Sequence, residues 1–184
     1  MVFVSIGTQD KKFDRLITYL KKLKEENILK EDLVIQSGIT EVDFGYDDNY
    51  NVNDNNKNNN SNSNSNYNKY NVSSFDYITV EEMEKYIQEA NYVIIHGGVG
   101  TIIQCIMENK KTIVVPRLEK NGEHENDHQL EIANKFKELN YIAVANNYEE
   151  LKDIICNIQN ISFDRYIPTN EEFVEKLEEI IKDM

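Results

Sequence analysis

Residues 1–6, Met-Val-Phe-Val-Ser-Ile, form an apolar, β-branched run that stops at Gly7. Small polar residues follow, and then Phe13, Leu16, Ile17, Leu20 and Leu23 recur at helical spacing. This pattern predicts a buried strand that feeds a helix through a short loop. "DLVIQSG" (32–38) reads as a second strand stopped by Gly38, and "SFDYI" (74–78) as a short third one. Thr79 and Glu82 have capping-box spacing and predict a helix start. "NYVIIHGGVGT" repeats the opening logic, with a strand over Tyr92–Ile95, glycines, and a helix carrying Ile102, Ile103, Ile106 and Met107. "KTIVVP" and "YIAVA" are further strands. Between them Leu130, Ile132, Ala133, Phe136 and Leu139 mark another helix, "NYEELKDIICNI" is the next, and a last amphipathic helix is expected over about 170–182. Strands that are almost continuously apolar and alternate with helices predict a mostly parallel sheet covered on both faces. The fold class expected is α/β, a single Rossmann-like domain spanning residues 1–184.

One stretch interrupts the pattern. Residues 49–71 hold 13 Asn in 23 positions, too polar to offset the entropy of ordering the chain, and are expected to be a disordered insertion in a surface loop.

Composition narrows the function classes. The formal net charge of -13 argues against a phosphate-tracking nucleic-acid binder or a polybasic membrane anchor, which need clustered Lys and Arg. An anionic ligand must therefore be held locally, by backbone amides. Cys105 and Cys156 match no metal or redox spacing and are expected to be buried thiols in a reducing cytosol. No run approaches the roughly 18 apolar residues of a membrane span. The expected location is the cytoplasm, with any membrane role supplied by a partner.

In a parallel sheet a ligand sits at the carboxyl ends of the strands, beside helix N-termini. Two loops there are rich in small residues, Gly7-Thr8-Gln9 and Gly97-Gly98-Val99-Gly100-Thr101. Glycine permits close approach of a phosphate, and free amides at a helix start suit an anion. Neither loop is a Walker A or a G-x-G-x-x-G fingerprint. His96, at its strand end, is either satisfied by the backbone or part of the ligand site. "HENDH" (124–128) fits the H-E-x-x-H zinc-peptidase pattern, which works only when both imidazoles share a helix face. Here Gly122 and the polar residues around it predict a loop, Asn126 or Asp127 the N-cap, and Leu130 the first apolar helical position. His124 then precedes the helix and His128 opens it, so no metal site is expected.

"VSIGTQDKKFDRL", "HGGVGT", "VVPR" and "GEHENDHQLEIA", in this order and spacing, resemble the C-terminal, donor-binding half of glycosyltransferase family 28, within the GT-B fold. The resemblance is nearest to small stand-alone subunits of two-part enzymes. These are the capsule and exopolysaccharide subunits of the PssE and EpsF type and the cytosolic subunit of the dolichol-linked N-acetylglucosaminyltransferase.

The resemblance implies a UDP-sugar site facing the strand ends. Gly7 and Thr8 would lie near the diphosphate or the transfer centre. His96, Gly97, Gly98, Gly100 and Thr101 would carry the diphosphate, and Gln104 stands where the larger family often has a ribose-binding Glu. Arg117, Glu123, His124, Asn126, Asp127, His128 and Gln129 would enclose the donor sugar, with His128 and Gln129 as the donor-side catalytic pair. No cofactor would be obligatory beyond the UDP-sugar donor.

The chain is expected to supply only one of the two halves of a GT-B enzyme, without the acceptor half. A membrane-anchored partner would bind a polyprenyl-diphosphate-linked acceptor and supply the general base, holding this chain peripherally at the cytosolic membrane face. The expected function is thus the catalytic donor-binding subunit of a split inverting hexosyltransferase in polysaccharide assembly. The alternatives are the N-acetylglucosaminyltransferase subunit of dolichol-linked oligosaccharide synthesis, or a non-catalytic regulatory subunit of such a complex.

Overall fold

The structure, a computed structural model, describes residues 1–45 and 71–166. Six strands form one sheet: β1 (Val2–Ser5), β2 (Leu33–Gln36), β3 (Val72–Phe75), β4 (Tyr92–Ile95), β5 (Thr112–Val114) and β6 (Ala143–Val144). Their order is β3-β2-β1-β4-β5-β6, and every neighbouring pair is parallel. Among the described residues five α-helices accompany them: α1 (Asp14–Glu25), α2 (Val80–Glu89), α3 (Val99–Met107), α4 (His128–Glu138) and α5 (Tyr148–Asn157). This is the α/β, Rossmann-like architecture that the alternating pattern predicts.

Strand residues alternate between two cores, as the period of two requires. Val2 and Val4 of β1, with Tyr92 and Ile94 of β4, pack in one apolar cluster with Leu16 and Leu20 of α1 and Leu151 and Ile155 of α5. Phe3, Val93 and Ile95 face the other way. They join Ile87 of α2, Ile102 and Ile106 of α3, and Ile132 and Phe136 of α4. Both sheet faces are therefore covered, and none of the four β1 side chains reaches solvent.

Two expectations change. β3 begins at Val72, two residues before the run read from sequence, and ends at Phe75. The register with β2 decides this: Val72 pairs with Leu33 and is buried, and Gln36 pairs with Phe75. After Phe75 the chain departs towards the capped start of α2. Cys105 is buried as expected, but Cys156 is exposed. On α5 the inward stripe runs through Tyr148, Leu151 and Ile155, and Cys156 stands about 100° round the helix from that stripe. The Asn-rich stretch, Asn71 excepted, and the helix expected over 170–182 lie outside the described residues. No helix among the described residues is long and apolar enough to cross a membrane.

Three helices stop in the same way. Asn27, Asn109 and Asn140 each stand two residues past the end of α1, α3 or α4 with positive φ, at 56°, 51° and 56°. After α1 the Ile28 amide donates to the Leu23 carbonyl and the Asn27 amide to that of Lys24. Lys110 to Cys105 with Asn109 to Ile106, and Tyr141 to Phe136 with Asn140 to Lys137, repeat the pair. These are Schellman motifs with Asn in the left-handed position usually given to Gly. Replacing Asn27 by Ala is expected to cost about 1 kcal/mol, because a plain Cβ is strained there, whereas Asn27→Gly should cost nothing or stabilise slightly. Urea unfolding of the two variants checks this.

Candidate functional site

β1 and β4 are neighbours at the centre of the sheet, but their following helices pack on opposite faces. The two loops diverge and leave a crevice over the carboxyl ends, the place where parallel α/β sheets bind ligands. Backbone there has left the β-ladder and needs other partners. Gln36, the last residue of β2, supplies them: its buried side-chain carbonyl accepts from the Gly7 amide at 3.2 Å and from the Ser5 hydroxyl at 2.9 Å. Its amide nitrogen donates to the carbonyls of Gly7 at 3.0 Å and Asp76 at 2.9 Å. Gly7 is thereby held at φ +88°, which glycine adopts without strain.

His96 fills the gap between the two glycine loops. A Cβ on Gly7 would lie 2.7 Å from His96 Nε2, and one on Gly98 would lie closer still. The ring is buried, with Nδ1 3.3 Å from the Ser5 carbonyl. Burial, reinforced by the nearby Arg117 charge, pushes its pKa down to about 4, so the imidazole is neutral near pH 7. The Ser5 carbonyl can only accept, which assigns the proton to Nδ1 and leaves Nε2 an acceptor.

Next to His96, α3 begins. Ile102 makes the first backbone bond of the helix, to Gly98. Among the described residues no hydrogen bond uses the amides of Gly98, Val99, Gly100 or Thr101. The other four α-helices carry a carboxylate in the first turn, and α3 carries none. Gly100 and Thr101 line a cleft of about 300 Å³, and Gly98 and Val99 stand just outside its lining. It collects Gly7, Thr8, His96, Gly100, Thr101 and Gln104 of the predicted residues. It also includes Gln36 and three residues not singled out from sequence, Ile78, Val80 and Met83, together with Thr79, read there only as a helix cap.

The remaining predicted residues stand apart from that cleft and order the neighbouring loop. Gln129 is buried, and its side-chain oxygen accepts from the amides of Gly97 and Arg117, each at 3.2 Å. The Gly97 amide is therefore already taken. Arg117 is 1% exposed. Its guanidinium donates to the carbonyls of Ile6, Lys11, Lys12 and Glu123 and lies 4.8 Å from the Phe13 ring centroid. Burial lowers its pKa, and Glu123 opposes the shift. The buried Glu123 binds Arg15 through both carboxylate oxygens at 2.8 Å and accepts from the Leu118 amide.

Above this buried layer the β1–α1 and β5–α4 loops meet over β4. Gln9 contacts His124 Nε2 at 2.8 Å and Lys11 pairs with Glu125 at 2.6 Å. Asn126 accepts from the His128 amide, and Asp127 from that of Glu119. His124 precedes α4, while His128 is its first residue, with Nδ1 3.1 Å from Glu131. The two imidazoles of "HENDH" do not share a helix face. Gln36 and Arg15 are the positioning residues that sequence reasoning missed. The available signal was Gln36 itself, a polar residue ending an otherwise apolar strand.

A larger cleft, about 530 Å³, lies at the amino-terminal end of the sheet beside Lys110 and Lys111. Both ammonium groups already cap backbone carbonyls, those of Gln88 and Ala90 and of Ile158 and Gln159.

Comparison with known proteins gives a consistent picture. The glycosyltransferase family 28 C-terminal domain matches residues 1–184. A protein of Candida albicans named UDP-N-acetylglucosamine transferase subunit ALG13 is 36% identical over 84 residues, 46% of this chain and 27% of the relative. Its namesake in Candida glabrata is 37% identical over 93 residues, 48% of this chain and 43% of the relative. The chain thus spans less than half the length of either. A solved structure described as the glycotransferase of kitacinnamycin superposes with a TM-score of 0.55 at 14% identity, covering 98% of this chain and 38% of that one. That likeness concerns the fold, which is that of one half of a GT-B glycosyltransferase.

Two outcomes follow from the geometry. Gly98→Ala forces a Cβ into the buried His96 ring and is expected to cost about 1–3 kcal/mol. A Cβ on Gly100 meets nothing within 4 Å, so Gly100→Ala should unfold in urea like the parent. The depressed His96 pKa also makes stability depend on pH. The unfolded chain binds this proton more readily, so the contribution is complete above about pH 6.5 and is lost as pH falls towards 4. It amounts to about 3 kcal/mol at most. Between pH 7 and pH 4.5, His96→Gln should lose less stability than the parent does, as read from urea midpoints at both pH values.

Proposed function

We propose, since this chain belongs to the glycosyltransferase family 28 C-terminal domain family, that it is the donor-binding subunit of a two-part transferase with UDP-N-acetylglucosamine as donor. The observation that carries this reading is the set of unpaired amides over Gly98–Thr101 at the central crevice, beside a helix start with no carboxylate of its own. Such a group accepts a diphosphate without a basic surface. As the bond from the sugar to UDP breaks, negative charge grows on the departing diphosphate, and fixed amide dipoles stabilise it without reorganising.

The donor sugar is inferred from the relatives, both named as N-acetylglucosamine transferase subunits. That observation moves the reading away from hexose transfer in polysaccharide assembly and towards its alternative. Dependence on a second subunit has separate support. A cleft of about 300 Å³ is at the lower limit for a small-molecule site, so much of a nucleotide sugar would need another surface to cover it. Ile39, Tyr77 and Val80, three of the most exposed large apolar residues described, stand at the carboxyl ends of β2 and β3 beside that cleft. The acceptor in this reading is a polyprenyl-diphosphate-linked sugar presented by a membrane-anchored partner, which also supplies the general base. Arg117, Glu123 and Gln129 act as positioning residues, through the loops they hold.

Titration calorimetry of the full chain, alone and with its copurified partner, tests the reading. UDP-N-acetylglucosamine is expected to bind and UDP-glucose to bind more weakly. Gly98→Ala should abolish transfer. Absence of UDP-sugar binding in both preparations overturns the proposal.

A further inference from the structure

His96 is the one buried side chain in the cleft with a polar atom left unsatisfied by the chain. Nδ1 is committed to the Ser5 carbonyl, and among the described residues Nε2 has no hydrogen-bond partner. A Cβ on Gly7 would lie 2.7 Å from Nε2 and one on Gly98 closer still, so a side chain at either glycine would cover it, and His96 lines the cleft. It is adjacent to the free amides that open α3. As a neutral ring it presents a lone pair there, and every oxygen of an ionised diphosphate presents lone pairs too. While Nδ1–H stays on the Ser5 carbonyl, the two cannot bond unless a proton comes between them.

The other groups around the ring define the charge balance. β1 and β2 contribute no titratable side chain, and α3 only Cys105, whose thiol burial pushes up to about 12. The charges that act on the ring come from the loop after β5: Arg117, and His124 more weakly. Glu123 on the same loop is held by Arg15, and Glu82 on α2 by the Thr79 amide. No carboxylate is therefore placed to keep the ring protonated in the free protein. An arriving diphosphate supplies the missing negative charge.

We infer that His96 takes up one proton from solvent when a nucleotide-sugar diphosphate occupies the cleft, so that Nε2–H becomes a donor to it while Nδ1–H stays on Ser5. The inference rests on the donor site proposed above and adds a proton to its binding equilibrium. The cleft is then neutral at this position when empty and cationic when filled. Affinity rises as pH falls, by up to tenfold per unit while the free ring is neutral and the bound ring charged. Burial, with the Arg117 charge adding to it, keeps the ring from trapping a proton without ligand.

The probe is UDP-N-acetylglucosamine, whose diphosphate diester does not titrate near neutrality. Calorimetry of the full chain in PIPES and in Bis-Tris at pH 6.5 should give a more positive apparent enthalpy in Bis-Tris, equivalent to the uptake of close to one proton. Nitrogen-15 shifts of the imidazoles, only three in the chain, should show one ring changing from neutral to doubly protonated on saturation. His96→Gln should remove the buffer dependence. Binding with equal enthalpy in both buffers, or with all three rings unchanged, overturns this inference and leaves the donor site standing. Uptake that persists in His96→Gln, with a second ring responding, assigns the proton elsewhere and also overturns it. No binding at all overturns the donor-site reading and this inference together.

Discussion

Backbone that leaves a parallel sheet at its buried centre loses its hydrogen-bonding neighbours, and its amides and carbonyls must find others or carry a cost of a few kcal/mol each. In this chain that requirement falls on four side chains. Gln36 pairs with both polar groups of Gly7, much as another strand would. Gln129 ties the loop after β4 to the loop after β5. Arg117 spans the carbonyls of three segments, and Glu123 accepts from its own loop and from α1. With these in place, the amides at the start of α3 still have no hydrogen bond among the described residues, and neither do those of Thr8 and Gln9 in the first glycine loop.

In the proposed reading, this arrangement is how a strongly acidic chain would hold an anion. Net charge acts over a Debye length, and at physiological ionic strength distant carboxylates are largely screened. What an anion meets in the crevice is local: oriented amides, a helix start free of carboxylates, and the buried Arg117 beneath. Arg117 is too enclosed to touch a ligand in the cleft, yet its charge acts on His96. Burial gives that charge a purpose at short range, since screening by water is weakest there.

Much of the fold was legible because buried strands and amphipathic helices write their periods directly into the chain. The alternation between Val2, Val4 and Phe3 is already the partition between two cores. Expectations failed where a partner decides the outcome. β3 takes its limits from its register with β2, and Ser73 and Ser74 carry too little β signal to announce it. Cys156 is apolar by type but lies one helical step from the buried stripe. In the site, the position of the glycine loops and His96 at the carboxyl ends of β1 and β4 was legible because it follows from each strand's own end. The roles of Arg117 and Glu123 were not, because a charged residue before a loop looks the same whether it faces a ligand or several carbonyls distant in sequence. Gln36 and Gln129 show the same limit, since a carboxamide serves backbone and ligand equally well.

"HENDH" illustrates how spacing and geometry separate. The i, i+4 relation carries meaning only if one helix includes both positions, and α4 starts at the second His. The reason lies in the polar cluster before it. Asn126 accepts from the His128 amide and Asp127 is turned towards the Glu119 amide, so these two side chains bond to a helix start and to the preceding turn. An N-cap in that position necessarily leaves His124 in the loop, where its ring meets Gln9 of the first glycine loop instead of His128. Residues that spell a metal clamp on a continuous helix become, across a helix start, a tie between two loops over the centre of the sheet. The fold thus gains a closed rim above β4 from the same five letters, and the open cleft beside it is left to the backbone.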